Sequence, residues 1–433
     1  MMSVEGPYLS AIVARLAEPV PNLAAFGLAF TLAWLAESPV IMLLTATTAL
    51  AKDRATFLAF RRFAWRLNGA VTAALVVLAL PPVFDLLAGR LLALPPEVAR
   101  LAHVATALLV PWPAAIGYRR FYQGVLVRNR MTRRVAWGTV VRLATMSVTA
   151  AGLALGAGLP GAWVAALALS AGVVAEAAAS RHMARHLVAS LLAEPDGGAP
   201  PPPPRELARF YFPLALTSTI SMATGPLLTF FMTRGPDAVP SLAAWPVVSA
   251  FVFLFRSGGV AFQEVGVALS GEEGEHAPEV RRAAALLAAG AALAFAAVAF
   301  SPLATLWYRG VVGLPPELLP LAVVPTRLLL LLPPLEYLLS LQRTRWVLAR
   351  RTRPVTVATA IEAAGLVLAM ALLVLGARWR GTVAAALSLT LGRLAACGFL
   401  AGLGRAAGRP GAGGRRRGDA APGASEARGA GAC

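Results

Sequence analysis

The nonapeptide "LPPEVARLA" at residues 94–102 returns almost unchanged as "LPPELLPLA" at residues 314–322, 220 positions later. Self-similarity at a fixed spacing marks a duplicated unit and decides the fold where it is present. Toward the N-terminus, at an offset of 219, residues 6–50 align without a gap with 225–269, so that "GPYLSAIVARLAEPVPNLAA" faces "GPLLTFFMTRGPDAVPSLAA". The matches include Gly6/Gly225, Pro7/Pro226, Arg15/Arg234, Pro21/Pro240 and Ser38/Ser257. At an offset of 220, Arg61-Arg62 faces Arg281-Arg282 and Pro82 faces Pro302. Further on, "RMTRRV" (130–135) faces "RRTRPV" (350–355), and "GAGLPGAWVAALAL" (156–169) faces "GARWRGTVAAALSL" (376–389). Chance likeness between Ala/Leu-rich helices does not bring prolines and polar residues into register. The chain is two copies of one unit.

Composition says what the unit is. Of the 433 residues 58% are hydrophobic and 14% charged, with mean hydropathy +0.68; a soluble chain carries about 25% charge. Runs such as 67–88, 137–158, 284–308 and 357–376 are apolar for about 20 residues each, enough to cross about 30 Å of hydrocarbon. Lipid admits only helices and closed barrels, and the alternating ten-residue segments of a barrel are absent. An all-α polytopic membrane protein follows. No cleavable signal peptide opens the chain.

Each copy reads as six spans: about 1–18, 21–50, 66–92, 98–125, 135–157 and 160–188, then 208–234, 240–269, 281–309, 317–347, 354–376 and 380–404. Six is even, so the copies are parallel repeats related by an axis along the membrane normal. The expected organisation is an N-terminal lobe at 1–190, a Pro/Gly-rich linker at 191–206, a C-terminal lobe at 207–406 and a disordered tail at 407–433. "RELARFYFPLALTST" (205–219) has no counterpart in the first copy. The first helix is therefore expected to be truncated, with a misassigned start at Met1 as the favoured explanation.

Net charge +18 suggests nucleic acid at first sight. The basic residues, 38 Arg and Lys52, instead concentrate in short loops. On this map one side holds 25 of the 39 and the other seven. That asymmetry predicts a bacterial cytoplasmic membrane protein with both termini in the cytoplasm and no nucleic-acid partner. The "R-x-T-R" turns are expected to meet anionic lipid headgroups. Cys397 and Cys433 offer no disulfide framework.

Two six-helix halves, each with a basic "R-x-T-R" turn after its fourth helix, resemble the multidrug/oligosaccharidyl-lipid/polysaccharide (MOP) exporter superfamily, over residues 1 to about 405. Within it the sequence is most similar to the progressive ankylosis protein group, through "FYFPLAL" (210–216), "VVPTR" (323–327) and the Glu of "FQEVG" (262–266). The resemblance implies a MATE-like V of two lobes around a central cavity, with alternating access. It implies export of a small organic or phosphate-type anion such as pyrophosphate, a nucleotide or a carboxylate. Other branches move organic cations, as drug antiporters, or flip lipid-linked saccharides.

A charge inside a span is a functional candidate by default. In the architecture the resemblance implies, helices 1, 2, 7 and 8 line the cavity and hold Glu5, Glu37, Arg256 and Glu264. Glu37 and Arg256 occupy equivalent repeat positions and are expected to pair across the cavity in one state and part in the other. Arg327, with Glu336 following, is the next candidate, since a guanidinium binds phosphate or carboxylate bidentately; the bland alternative is a structural tie to a carbonyl near Pro325. Asp85, Arg142, Glu176, Glu362 and Arg393 are expected to pair within a lobe. Glu264 is a candidate proton carrier, and Na⁺ or H⁺ coupling is possible. Pro7, Pro39, Pro226 and Pro246 are candidate kinks.

Other signals lead nowhere. "GAGLPG" (156–161) follows no strand, His182 and His186 lack further ligands, and "GEEGEH" (271–276) reads as a solvated loop. With no Walker motif and no catalytic cluster, neither enzyme activity, cofactor nor metal is expected.

Overall fold

The computed structural model describes residues 4–156, 158–193, 203–269, 276–349, 351 and 353–407. The linker at 194–202, the tail from 408, the loop 270–275 and part of the second R-x-T-R turn lie outside the described residues.

The first six helices are α1 (Glu5–Arg15), α2 (Pro19–Glu37, resuming at Leu43–Leu50), α3 (Arg54–Leu78), α4 (Pro96–Arg128), α5 (Thr132–Gly156) and α6 (Gly161–Ala193). The second six are α7 (Pro204–Met232), α8 (Ala238–Leu269), α9 (Ala277–Ala299), α10 (Pro316–Trp346), α11 (Arg353–Gly376) and α12 (Gly381–Ala407). Among the described residues ten helices are long and apolar enough to cross a membrane, or eleven if α3 and the segment Pro81–Leu91, bent from it by 68°, form one span. Short α1 completes twelve. The chain is a multi-pass membrane protein.

Two boundaries differ from the sequence map. Helix α3 begins at Arg54 rather than 66, because Asp53 Oδ1 accepts the Thr56 amide (2.9 Å) in a capping box. Arg61-Arg62 consequently ride on the first turns of α3 instead of in a loop, and Arg281-Arg282 likewise lie within α9, which starts at Ala277. The expected kinks also resolve individually. Pro39 lies in the break of α2, and Pro246 stands inside α8. Pro226 follows the joint at Ala223, where the Met222 carbonyl loses its amide partner. Pro7 makes no kink: it falls in the first turn of α1, where a missing amide costs nothing.

The two halves repeat each other down to unusual backbone. Positive φ recurs at Glu18 (50°) and Asp237 (54°), at Ala93 (48°) and Gly313 (82°), and at Gly158 (58°) and Arg378 (57°). Each pair is separated by 219 or 220 residues. L-residues adopt this region at a cost, so its return at the same repeat positions reflects a shared loop geometry. A π-helical turn likewise occupies Leu86–Leu91 and Leu306–Val312.

The halves meet through small residues. A Cβ on Gly6 would lie 3.0 Å from Ala250, and one on its equivalent Gly225 would lie 3.1 Å from Thr31, the equivalent of Ala250. Between them, a Cβ on Gly27 would come within 2.3 Å of Pro246, its own repeat equivalent. The pseudo-two-fold axis therefore runs past Gly27 and Pro246, where only a glycine admits the opposing ring.

At the end away from the basic loops, two equivalent arginines cross between the halves. Arg15 donates to the carbonyls of Val312 (2.8 Å), Gly310 (3.1 Å) and Val311. Arg234 donates to the Leu91 carbonyl (2.8 Å). Leu91 is the repeat equivalent of Val311, so each half caps the π-helical turn of the other, whose carbonyls lack a regular helical partner.

Candidate functional site

Each half encloses a chain of buried charges. In the first, Glu5 of α1 pairs with Arg142 of α5, and Arg142 reaches Glu176 of α6 at 3.6 Å. Glu176 in turn receives Arg119 of α4, and its other oxygen accepts from Gln123 Nε2 at 3.2 Å. In the second half, Arg256 of α8 bonds Glu336 of α10 through Nε and Nη2, at 2.9 and 2.6 Å. Glu336 meets Arg393 of α12 at 2.8 Å, and Arg393 meets Glu362 of α11 at 2.8 Å. These side chains are at most 12% exposed, except that of Arg256, at 21%. An ion inside a span is costly unless it is paired, and every member of both chains has an ion partner, the pairs joining the fourth, fifth and sixth helices of their half.

Glu37 enters no ion pair among the described residues. It ends the first segment of α2 and is buried, and its Oε2, like Oε1 of Glu5, accepts no hydrogen bond from a described residue. The charged groups around it are Arg119, Arg120, Arg142 and Glu5. Around the first chain three carboxylates (Glu5, Glu37, Glu176) face three arginines (Arg119, Arg120, Arg142). In the second half Arg256, Arg343 and Arg393 surround only Glu336 and Glu362 among the described side chains. Arg343 Nη2 makes do with the Thr359 hydroxyl at 3.3 Å. Counted over the described side chains, the first site is balanced and the second has one arginine more than it has carboxylates; the side chain of Glu264, on α8 with Arg256, lies outside that count.

No family model matches the sequence, and no curated protein matches it. Solved structures do. An inward-facing MATE family multidrug resistance transporter of the MOP superfamily superimposes with TM-score 0.69 at 15% identity, over 93% of this chain and 94% of that one. The lipid II flippase MurJ in an inward closed conformation gives 0.66 at 12%, over 93% and 85%. A superfamily transporter from Pyrococcus furiosus, described by the reverse polarity of its binding pocket, gives 0.63 at 15%, over 94% and 95%. This is the MATE-like fold. Two parallel six-helix repeats with a short first helix are its form here.

The expected site residues fall into distinct roles. Glu5, Arg256 and Glu336 join the buried chains. Arg256 is held by Glu336 of its own half, so the expected Glu37–Arg256 pair is not formed in this conformation. Arg327 does not reach Glu336: its Nε donates to the Ala299 carbonyl at 3.1 Å and its guanidinium lies 5.9 Å from the Phe300 ring. The side chain of Glu264 lies outside the described residues. Arg142, Glu176, Glu362 and Arg393 pair within their halves, while Asp85 enters no ion pair among the described residues. Sequence reasoning missed Arg119, Arg120, Gln123 and Arg343. The signal was present in "YRRFYQG" (118–124), where two adjacent arginines interrupt a span that cannot hold them unpaired.

Proposed function

We propose that the chain is a secondary transporter that moves a small organic or phosphate-type anion by alternating access between its two halves. The observation that carries this reading is the partial exposure of Arg256 on α8, the helix that packs against α1 and α2 of the other half, together with the excess of arginines over carboxylates among the described side chains of the second half. An anion arriving there would compete with Glu336 for a guanidinium already oriented for bidentate binding. The Arg15 and Arg234 contacts support a state closed at the end opposite the basic loops, and exchange would require both to release. The basic loops support a plasma-membrane location with both ends in the cytoplasm. The progressive ankylosis likeness, resting on short motifs, adds pyrophosphate, nucleotides and carboxylates as the anions to try first.

One observation favours a second reading. The unpartnered Oε2 of buried Glu37 suits H⁺ or Na⁺ coupling, and with an organic cation as cargo the same site would serve a drug antiporter. Uptake into proteoliposomes of labelled pyrophosphate, ATP and citrate, against labelled organic cations, with and without H⁺ and Na⁺ gradients, separates the two. The anion reading expects anion uptake that falls at least about tenfold, the size of one lost charged contact, in a folded Arg256→Gln variant. Cation uptake that survives Arg256→Gln and is lost in Glu37→Gln, with no anion uptake in the parent, would overturn it.

A further inference from the structure

A cleft of about 700 Å³ opens between α9, α10 and α12, well away from the buried charges. Its lining is mostly apolar, with Leu338, Leu341, Leu400 and Trp346 among its walls and Gln342 its one uncharged polar side chain. Three arginines stand at its rim: Arg281 near the start of α9, Arg345 near the end of α10 and Arg405 near the end of α12. Successive spans alternate in direction, so these positions share one end of the bundle, the end of the basic loops. All three are exposed, and none makes an ion pair or side-chain hydrogen bond to a described residue. Helix α9 is the least buried of the candidate spans, with Leu286 66% and Leu287 50% exposed. The cleft therefore opens toward lipid.

The duplication supplies an internal control. At an offset of 220, Ala285 and Leu338 of the cleft correspond to Trp65 and Tyr118. In the first half those two rings stack at 4.9 Å with planes 4° apart. Trp65 also contacts Phe121, at 5.4 Å. Arg181, at the position of Ala401, lies over Tyr122 at 5.1 Å. The first half thus fills with aromatic rings the space that the second half leaves open. The rim differs as well. Arg61 and Arg185, the equivalents of Arg281 and Arg405, are engaged by the Phe57 ring (5.5 Å) and by His186 (3.1 Å). The third arginine, Arg345, replaces buried Val125. The first half is plugged by rings where the second is open, and the mouth of the second carries three arginines that make no ion pair to a described residue.

We infer that this cleft is a binding site for an anionic phospholipid, with an acyl chain between α9, α10 and α12 and the headgroup phosphate on Arg281, Arg345 and Arg405. An apolar slot open to hydrocarbon selects the chain, and three guanidiniums at headgroup depth select the charge. The site is independent of what the transporter carries.

Native mass spectrometry of the full chain, released from mixed phosphatidylglycerol and phosphatidylcholine bilayers, tests it. The parent is expected to retain phosphatidylglycerol over phosphatidylcholine. Refilling the slot with the first half's own residues, Ala285→Trp with Leu338→Tyr, is expected to abolish the retained lipid. Arg281→Gln, Arg345→Gln and Arg405→Gln together are expected to lower the preference for phosphatidylglycerol, by about fivefold per arginine. The arginines are exposed and outside the packed interior, so this variant remains informative if the refilled one fails to fold. Equal retention of the two lipids by the parent, an unchanged lipid signal in a folded refilled variant, or an unchanged preference without the three arginines would each overturn the assignment.

Discussion

In each half three buried charges stand on the fourth, fifth and sixth helices with their signs exchanged between the halves, while the remaining charge sits on non-equivalent helices, Glu5 on α1 and Arg256 on α8. The first half runs Glu5–Arg142–Glu176–Arg119, and the second runs Arg256–Glu336–Arg393–Glu362. Arg142 and Glu362 occupy the same repeat position, and Glu336 and Arg393 lie three residues, about one helical turn, before the equivalents of Arg119 and Glu176. Coulomb attraction is unchanged when both signs are exchanged, so either polarity ties the same three helices together. What differs further is the charge at the free end of each chain: a carboxylate, Glu5 of α1, tied to the fifth helix in one half, and a guanidinium, Arg256 of α8, tied to the fourth helix in the other. The fold constrains the pairing, whereas polarity at the free end is open to function.

The comparison can be broken at the centre of each chain. Glu176→Leu and Arg393→Leu each remove an ion partner from two buried charges and leave one of them, Arg119 or Glu362, with no ion partner among the described residues; each is expected to cost about 3–5 kcal/mol, read as a lowered unfolding temperature in micelles. Similar losses would support equivalent structural roles. A negligible loss in one half alone would show that its chain is not structural.

The crossing arginines come next. Arg15 reaches three carbonyls of the opposite half and Arg234 one, so Arg15→Ala is expected to release the end opposite the basic loops more than Arg234→Ala. With hydrogen bonds from a charged donor contributing about 1.5–3 kcal/mol, labelling of a cysteine introduced between the halves at that end is expected to rise at least about tenfold. Equal labelling in the two variants would remove the asymmetry.

A smaller effect is expected at the axis. Gly27→Ala places a methyl against the Pro246 ring and should cost about 1–3 kcal/mol through overpacking. Pairing it with Pro246→Ala should recover part of that loss, measured by the same unfolding assay. Least of all, Asp237→Asn removes the exposed pair with Arg380 at 3.1 Å. Exposed pairs contribute little, so the unfolding temperature should hold to within the error of the measurement.

The duplication, the number of spans and their main breaks were legible because they depend on local features: apolar run length, prolines, and polar residues returning at a fixed spacing. Asp53 shows the limit even there. Its capping box drew Arg61 and Arg62 into α3, although hydropathy placed the span twelve residues later. Membership of the buried chains was largely legible, since every member but Arg119 announced itself as a charge inside an apolar run. Who pairs with whom was not. Glu5 and Arg142 are 137 residues apart, and which faces meet depends on how each helix is turned about its axis. A helix apolar all round carries little record of that angle. Sequence by itself determined that there are two six-helix copies in a membrane and that charges lie within them. Only tertiary packing decided that Arg256 binds Glu336 rather than Glu37, that Arg15 and Arg234 span the halves, and that one half is plugged by Trp65 and Tyr118 where the other stands open. Those outcomes are set by rotations and long-range contacts, to which neither hydropathy nor residue spacing is sensitive.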